Sequence, residues 1–261
     1  MMDDFLKKYG PWAIITGGTS GTGYLFAQKL ADKGMSLVLV ARGEEALLQT
    51  QKKLIDQYQV QVKTIAVDLS NQNSVQQIRK EIEGLEIGLL INNAGYSITE
   101  EFHRENWENQ SKLLETIFNT PIALTHLFVQ DMVKRGKGGV IFVSSSVAYT
   151  PTPLWSIYSG GKAGILTFGE SISQELKKYN VDVLTVCPGP MKTKFQDRSG
   201  ISSPGLMDPD KVVSMTLRSL GRKISLLPGF SNKMMFQFLG RLLPKKVTLP
   251  LFETMMKKIQ K

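Results

Sequence analysis

The sequence predicts an α/β fold: one doubly wound parallel sheet with helices on both faces, a three-layer α/β/α arrangement in a single domain spanning residues 1–261. Three observations lead there. Apolar runs at 12–16, 37–41, 62–67, 87–91, 140–144 and 181–187 alternate with helical segments, as expected of strands buried on both faces. A glycine cluster follows the first run and opens the first helical segment. The 261 residues, 42% hydrophobic, suffice for one full core, and neither an internal repeat nor a low-complexity linker interrupts them.

The first run, Trp12 to Thr16, leads into Gly17-Gly18-Thr19-Ser20-Gly21-Thr22-Gly23. Gly17, Gly21 and Gly23 stand in a G-x-x-x-G-x-G spacing, where missing side chains let the backbone turn and approach a pyrophosphate at a helix N-terminus. This is the opening of a Rossmann-type dinucleotide fold. Thr19, Ser20 and Thr22 complete the cofactor loop. The second run ends Val40-Ala41-Arg42, with no acid to hold a ribose 2′-hydroxyl. Arg42 suits a 2′-phosphate, so NADP(H) is favoured and NAD(H) stays open.

Further along, Tyr158 and Lys162 stand four residues apart at a helix start, where they share a face. A phenol exchanges protons poorly at neutral pH, and a fixed ammonium nearby is expected to lower its pKa. Tyr158 then reads as a general acid/base tuned by Lys162.

With these residues the chain resembles the short-chain dehydrogenase/reductase family of the classical type. Residues 16–23 match its T-G-x-x-x-G-x-G loop, and Tyr158 and Lys162 its Y-x-x-x-K motif. The resemblance implies further roles. Asp68, with Leu69 beside it, falls where the family contacts adenine. Asn92-Asn93-Ala94-Gly95 matches the N-N-A-G segment, with Asn92 and Ala94 bordering the cofactor. Ser145, thirteen residues before Tyr158, takes the place of the serine that bonds the substrate carbonyl, although Ser144 and Ser146 flank it. Asn119 takes that of the asparagine holding a proton-relay water connected to Lys162. Pro188, Gly189, Met191 and Thr193 match the P-G-x-x-x-T segment at the nicotinamide carboxamide. Lys162 would also bond the nicotinamide ribose. Thr22 departs from the usual isoleucine, as do Gly160 and Gly161 from more usual small residues. Pro121 should disturb the helix just after Asn119.

The reaction so implied moves a hydride between the nicotinamide and a carbonyl or secondary alcohol of a small hydrophobic substrate. A 3-oxoacyl thioester is one alternative substrate class, and an NADP-sensing regulator without turnover is the rival of a different kind. A homodimer or homotetramer is expected by resemblance, with Gly160, Gly161, Ala163 and Gly164 allowing close packing.

Composition excludes other chemistry. The lone Cys187 permits neither an internal disulfide nor a cysteine-based metal cluster and reads as core filler. His103 and His126 lack partners at ligand spacing, so no metal site is expected. No stretch reaches a membrane span, and the start does not resemble a signal peptide, so a cytoplasmic protein is expected. The net charge of +9 resides in the C-terminal part: residues 191–261 hold 14 Lys/Arg against 4 Asp/Glu. No motif supports nucleic-acid binding. Residues 191–227 are expected to form the substrate lid, and 228–261 a basic amphipathic extension. Through 229–261, a peripheral membrane contact, an acidic carrier contact or simple packing on the domain all stay open.

Overall fold

Residues 4–193, 206–239 and 242–259 are described by the computed structural model. Seven strands lie side by side: β1 (Trp12–Thr16), β2 (Ser36–Ala41), β3 (Val62–Ala66), β4 (Ile87–Asn92), β5 (Gly138–Val143), β6 (Val181–Val186) and β7 (Ser225–Leu226). They are all parallel, in the order β3-β2-β1-β4-β5-β6-β7. The chain leaves β1 toward β2 and β3, then returns to place β4 on its other side. That reversal opens a crevice beyond the carboxyl ends of β1 and β4, where ligands of such sheets bind.

The continuous apolar runs follow from burial on both faces. Ala13 and Ile15 of β1 join one core and Ile14 the other, and Leu37, Leu39 and Val38, Val40 divide likewise in β2. The first core is closed by α2 (Gly21–Ala31), α3 (Glu44–Tyr58) and α8 (Pro209–Ser219), through side chains such as Phe26, Leu47 and Val213. The second is closed by α4 (Ser74–Glu81), α6 (Thr120–Arg135) and α7 (Ser156–Leu176), through Ile78, Phe128 and Ile165. Further helices include α1 (Asp4–Tyr9), α5 (Trp107–Leu114) and α9 (Lys245–Ile259). The helix α1 is tied beneath the sheet by the Tyr9 hydroxyl, which donates to Asp182 at 2.5 Å.

Two expectations change. The strand β7 is absent from the six apolar runs because two residues carry no period; it is held by the Thr185 and Cys187 amides, which donate to Ile224 and Leu226. Much of 206–227 is therefore body and not lid: α8 starts at Pro209 with the Asp208 side chain accepting from the Asp210 amide. The lid expectation at 194–205 lies outside the described residues.

The disturbance expected at Pro121 takes the form of a π-helical turn, Glu115–Asn119, running into α6. Two of the glycines expected to serve subunit packing are used within the chain. A Cβ on Gly161 would press on Ile117, and one on Gly164 on Phe118.

Candidate active site

A cavity of about 890 Å³ lies across the carboxyl ends of the strands. Its walls come from the loops after β1 (Gly17, Thr19 to Thr22), β2 (Arg42), β3 (Asp68, Leu69), β4 (Asn93 to Ser97), β5 (Ser144 to Val147) and β6 (Pro188 to Met191, Thr193). From α7 come Tyr158 and Lys162.

The glycine loop is built for close approach. Gly17 has φ +68°, a conformation that favours glycine. A Cβ on Gly23 would collide with the Gly17 carbonyl and the Asn93 amide, so Gly23 shapes the loop without lining the cavity. Asn93 holds the loop from the neighbouring strand end: its amide donates to the Thr16 carbonyl at 3.0 Å and to that of Gly17 at 3.3 Å. In return the Thr16 hydroxyl accepts from the Asn93 and Ala94 backbone amides. Thr22, the departure from isoleucine, donates to the Asn93 side-chain oxygen at 2.7 Å and adds a polar latch. Asn92 is a buried strut, donating to Thr125 of α6 at 3.1 Å, and does not line the cavity.

At one end of the cavity stand Arg42 and Asp68. Burial acts to raise the Asp68 carboxyl, but two hydrogen bonds from Ser70 and the charges of Arg42 and Lys112 outweigh it and hold it below the ordinary range. A cradle with no room for side chains, an exposed arginine and an ionised acid at successive strand ends fit a dinucleotide.

At the other end the Ser145 hydroxyl is bonded to the Tyr158 phenol. Ser144 donates to the Lys162 carbonyl at 2.8 Å, so of the three consecutive serines Ser145 is the one joined to the tyrosine. Burial pushes Tyr158 up to about 12, opposed by the Ser145 bond. Lys162 is not among the groups that shift it, so the depression expected from its ammonium does not appear here. The Lys162 ammonium sits 5.8 Å from the Tyr158 ring centroid and donates to the Val143 carbonyl at 2.8 Å. Burial pushes Lys162 itself down to about 8.

Asn119 is not brought to the site. It lies on the exposed side of the π turn, where its amide donates to the Glu115 carboxylate at 2.7 Å. The π turn presents Ile117 instead, whose methyl lies 3.5 Å from where a Cβ on Gly95 would stand, with the Lys162 ammonium 3.6 Å from the same point. Cys187 is core filler as read, fully buried, with burial pushing its thiol up to about 12. His126 pairs with Gln130 on the surface, and His103 lies near Glu101. Among the described residues no cluster of His, Cys, Asp or Glu could hold a metal ion.

The sequence reading missed the roof of the cavity. Met235, Phe236, Met255 and Met256 line it, joined by Trp155 and Val147. Phe236 belongs to a second π-helical segment, Lys233–Leu239, and its ring lies 5.6 Å from that of Phe252 in α9. The Thr150 hydroxyl donates to the Phe236 carbonyl. The extension therefore packs on the domain with one face and closes the site. Its methionines at i, i+1 spacing carried no signal beyond a generic apolar helix.

A glycine cradle at the switch point of a parallel sheet, with Ser145, Tyr158 and Lys162 beside it, defines a nucleotide-dependent oxidoreductase that acts on C=O or CH–OH groups. Comparison with known proteins specifies the class. The chain belongs to the short-chain dehydrogenase family, whose model matches residues 11–202. The very-long-chain 3-oxoacyl-CoA reductase of Mus musculus is 34% identical over 241 residues, 87% of this chain and 76% of that protein. Among solved structures, a short-chain dehydrogenase from Sphingobium yanoikuyae in complex with NADPH has a TM-score of 0.82 at 28% identity, covering 88% of this chain and 92% of that one. A 7β-hydroxysteroid dehydrogenase has a TM-score of 0.89 at 25% identity, covering 95% and 98%.

Proposed function

We propose that this protein is an NADP(H)-dependent reductase of 3-oxoacyl thioesters with long acyl chains. The observation that carries the reading is the apolar chamber under Met235, Phe236, Met255 and Met256, of which Met235, Phe236 and Met255 share one apolar cluster with Tyr158. A long methylene chain gains by leaving water for such a chamber, and methionine side chains adapt to chains of differing length. The name carried by the mouse relative points to the same substrate class.

The glycine loop and the start of α2 would hold the pyrophosphate, Arg42 the 2′-phosphate, Asp68 the adenosine, and Pro188 to Thr193 the carboxamide. When bound, the cofactor supplies the hydride. Ser145 donates a hydrogen bond to the ketone oxygen, which polarises the carbonyl and stabilises the growing alkoxide. Tyr158, protonated at neutral pH and held further from ionising by its burial, gives its proton to that oxygen. Lys162 stands next to the tyrosine as a buried ammonium that a bound ribose can share with the Val143 carbonyl. Asn119, held by Glu115 on the outer face, has no part in returning the proton.

The test is a panel of 3-oxoacyl-CoA thioesters of rising length, simple ketones and steroid ketones, assayed with NADPH and with NADH by the fall in absorbance at about 340 nm. Turnover should be best with NADPH and with long-chain thioesters. Reduction of steroid or simple ketones with no activity on any thioester would overturn the substrate assignment.

A further inference from the structure

We infer that the outer face of the C-terminal segment is a docking surface for an anionic lipid bilayer. The helix α9 is two-faced. Thr248, Phe252 and Met256, four apart, are buried against the domain. One position around the helix, Val247 and Leu251 stand 54% and 60% exposed, and Leu242, just before the helix, is 65% exposed. Leu243 and Leu249 add partly exposed leucines to the same segment. Single exposed apolar side chains are ordinary; Val247 and Leu251 side by side on one face of the helix, with Leu242 just before it, concentrate apolar surface that water solvates poorly.

Charge selects the occupant. Residues 229–261 carry seven Lys/Arg against one acid, Glu253, and that acid is engaged by Lys257 at 2.6 Å. Lys246 and Lys258 flank the apolar residues at opposite ends of α9 and are exposed. Apolar side chains bounded by lysines match the boundary between acyl chains and anionic headgroups. A second copy of the chain matches poorly, because a two-fold contact sets the patch against itself and opposes lysines to lysines. No described helix is long and apolar enough to cross a membrane, so the contact is with the surface of the bilayer.

The arrangement has a functional consequence, which rests on the long-chain reading above. The inner face of α9 supplies Met255 and Met256 to the roof of the cavity. One helix then separates the acyl chamber from the lipid, and a long-chain substrate partitioned in the bilayer has a short path to Tyr158.

The experiment is co-sedimentation of the full chain with phosphatidylcholine vesicles, with and without about 30% phosphatidylglycerol, beside the double variant Val247→Ser/Leu251→Ser. The proposal expects binding to the anionic vesicles that weakens as salt rises, and about tenfold weaker binding by the variant with turnover of a short, soluble substrate unchanged. Equal binding to both vesicle types, binding to neither, or full binding by the variant would overturn it. So would a concentration-dependent dimer in analytical ultracentrifugation that the variant abolishes. Because the soluble-substrate assay is independent of vesicles, loss of this proposal leaves the reductase reading untouched.

Discussion

Lys162 donates its ammonium to the carbonyl oxygen of Val143 at 2.8 Å, at the very end of β5. The lysine on the first turns of α7 is thus stitched to the strand that delivers Ser145, and the same stitch brings Tyr158 to the serine. Burial of that ammonium and of the phenol dominates the electrostatics of the site.

Replacing Tyr158 with Phe removes the proton donor and keeps the ring that packs against Trp155 at 5.0 Å. Turnover should fall by about 10²–10⁴-fold, with the NADPH dissociation constant within about threefold of the parent by fluorescence titration. A variant retaining a tenth of the parental rate would remove Tyr158 from proton transfer.

Asn119→Ala should leave kcat/KM within about twofold, since the amide it deletes is held by Glu115 away from the cavity. Steady-state kinetics decide the point. A loss beyond tenfold would return Asn119 to the machinery and require the π turn to rearrange.

Lys162 gives the stability a pH signature. Its folded pKa, near 8, lies below the ordinary 10.5, so between these values the unfolded chain holds a proton that the folded one has released. Unfolding free energy therefore rises with pH in that window through this group, and the buried charge costs on the order of 3 kcal/mol at neutral pH. Lys162→Met should lose catalysis while matching or exceeding the parental stability at pH 7. Urea unfolding at pH 7 and pH 10 checks it, and the gap between the two proteins should narrow at the higher pH. A clearly less stable variant at pH 7 would show the lysine to be a net structural asset.

The latch on the glycine loop predicts a graded series. Thr22→Val loses one hydrogen bond to Asn93 and should destabilise by about 1 kcal/mol. Asn93→Ala also strips the donors from Thr16 and Gly17 and should cost about 1–3 kcal/mol, with weaker NADPH binding. Thermal melts with and without NADPH rank the two, and the reverse order would mean that Asn93 is not what holds the loop.

Arg42→Ala should raise the KM for NADPH by about 10–100-fold and leave that for NADH nearly unchanged, as loss of a phosphate-pairing guanidinium requires. Equal effects on both cofactors would assign Arg42 to packing at that end of the cavity.

The sequence alone determined six of the seven strands of the sheet, because strands buried on both faces must be apolar without interruption, and the alternation of such runs with helices leaves few topologies. It also brought Gly17, Tyr158 and Lys162 to one cavity at the strand ends, since their placement depends on local geometry: a turn without side chains, and a helix face four residues apart. Tertiary structure decided the rest. Whether Lys162 tunes Tyr158 depends on burial, a sum over neighbours from β5, α7 and the loop after β4 that spacing does not contain. Asn119 was placed by resemblance alone; it ends the π turn on the exposed side, bonded to Glu115, while Ile117 is the residue buried beside Gly95 and the lysine. The two-residue β7 and the methionine roof exist only through partners far away in the chain. An apolar residue on a helix shows that one face will be covered; the packed fold decides whether by a core, a substrate or a membrane.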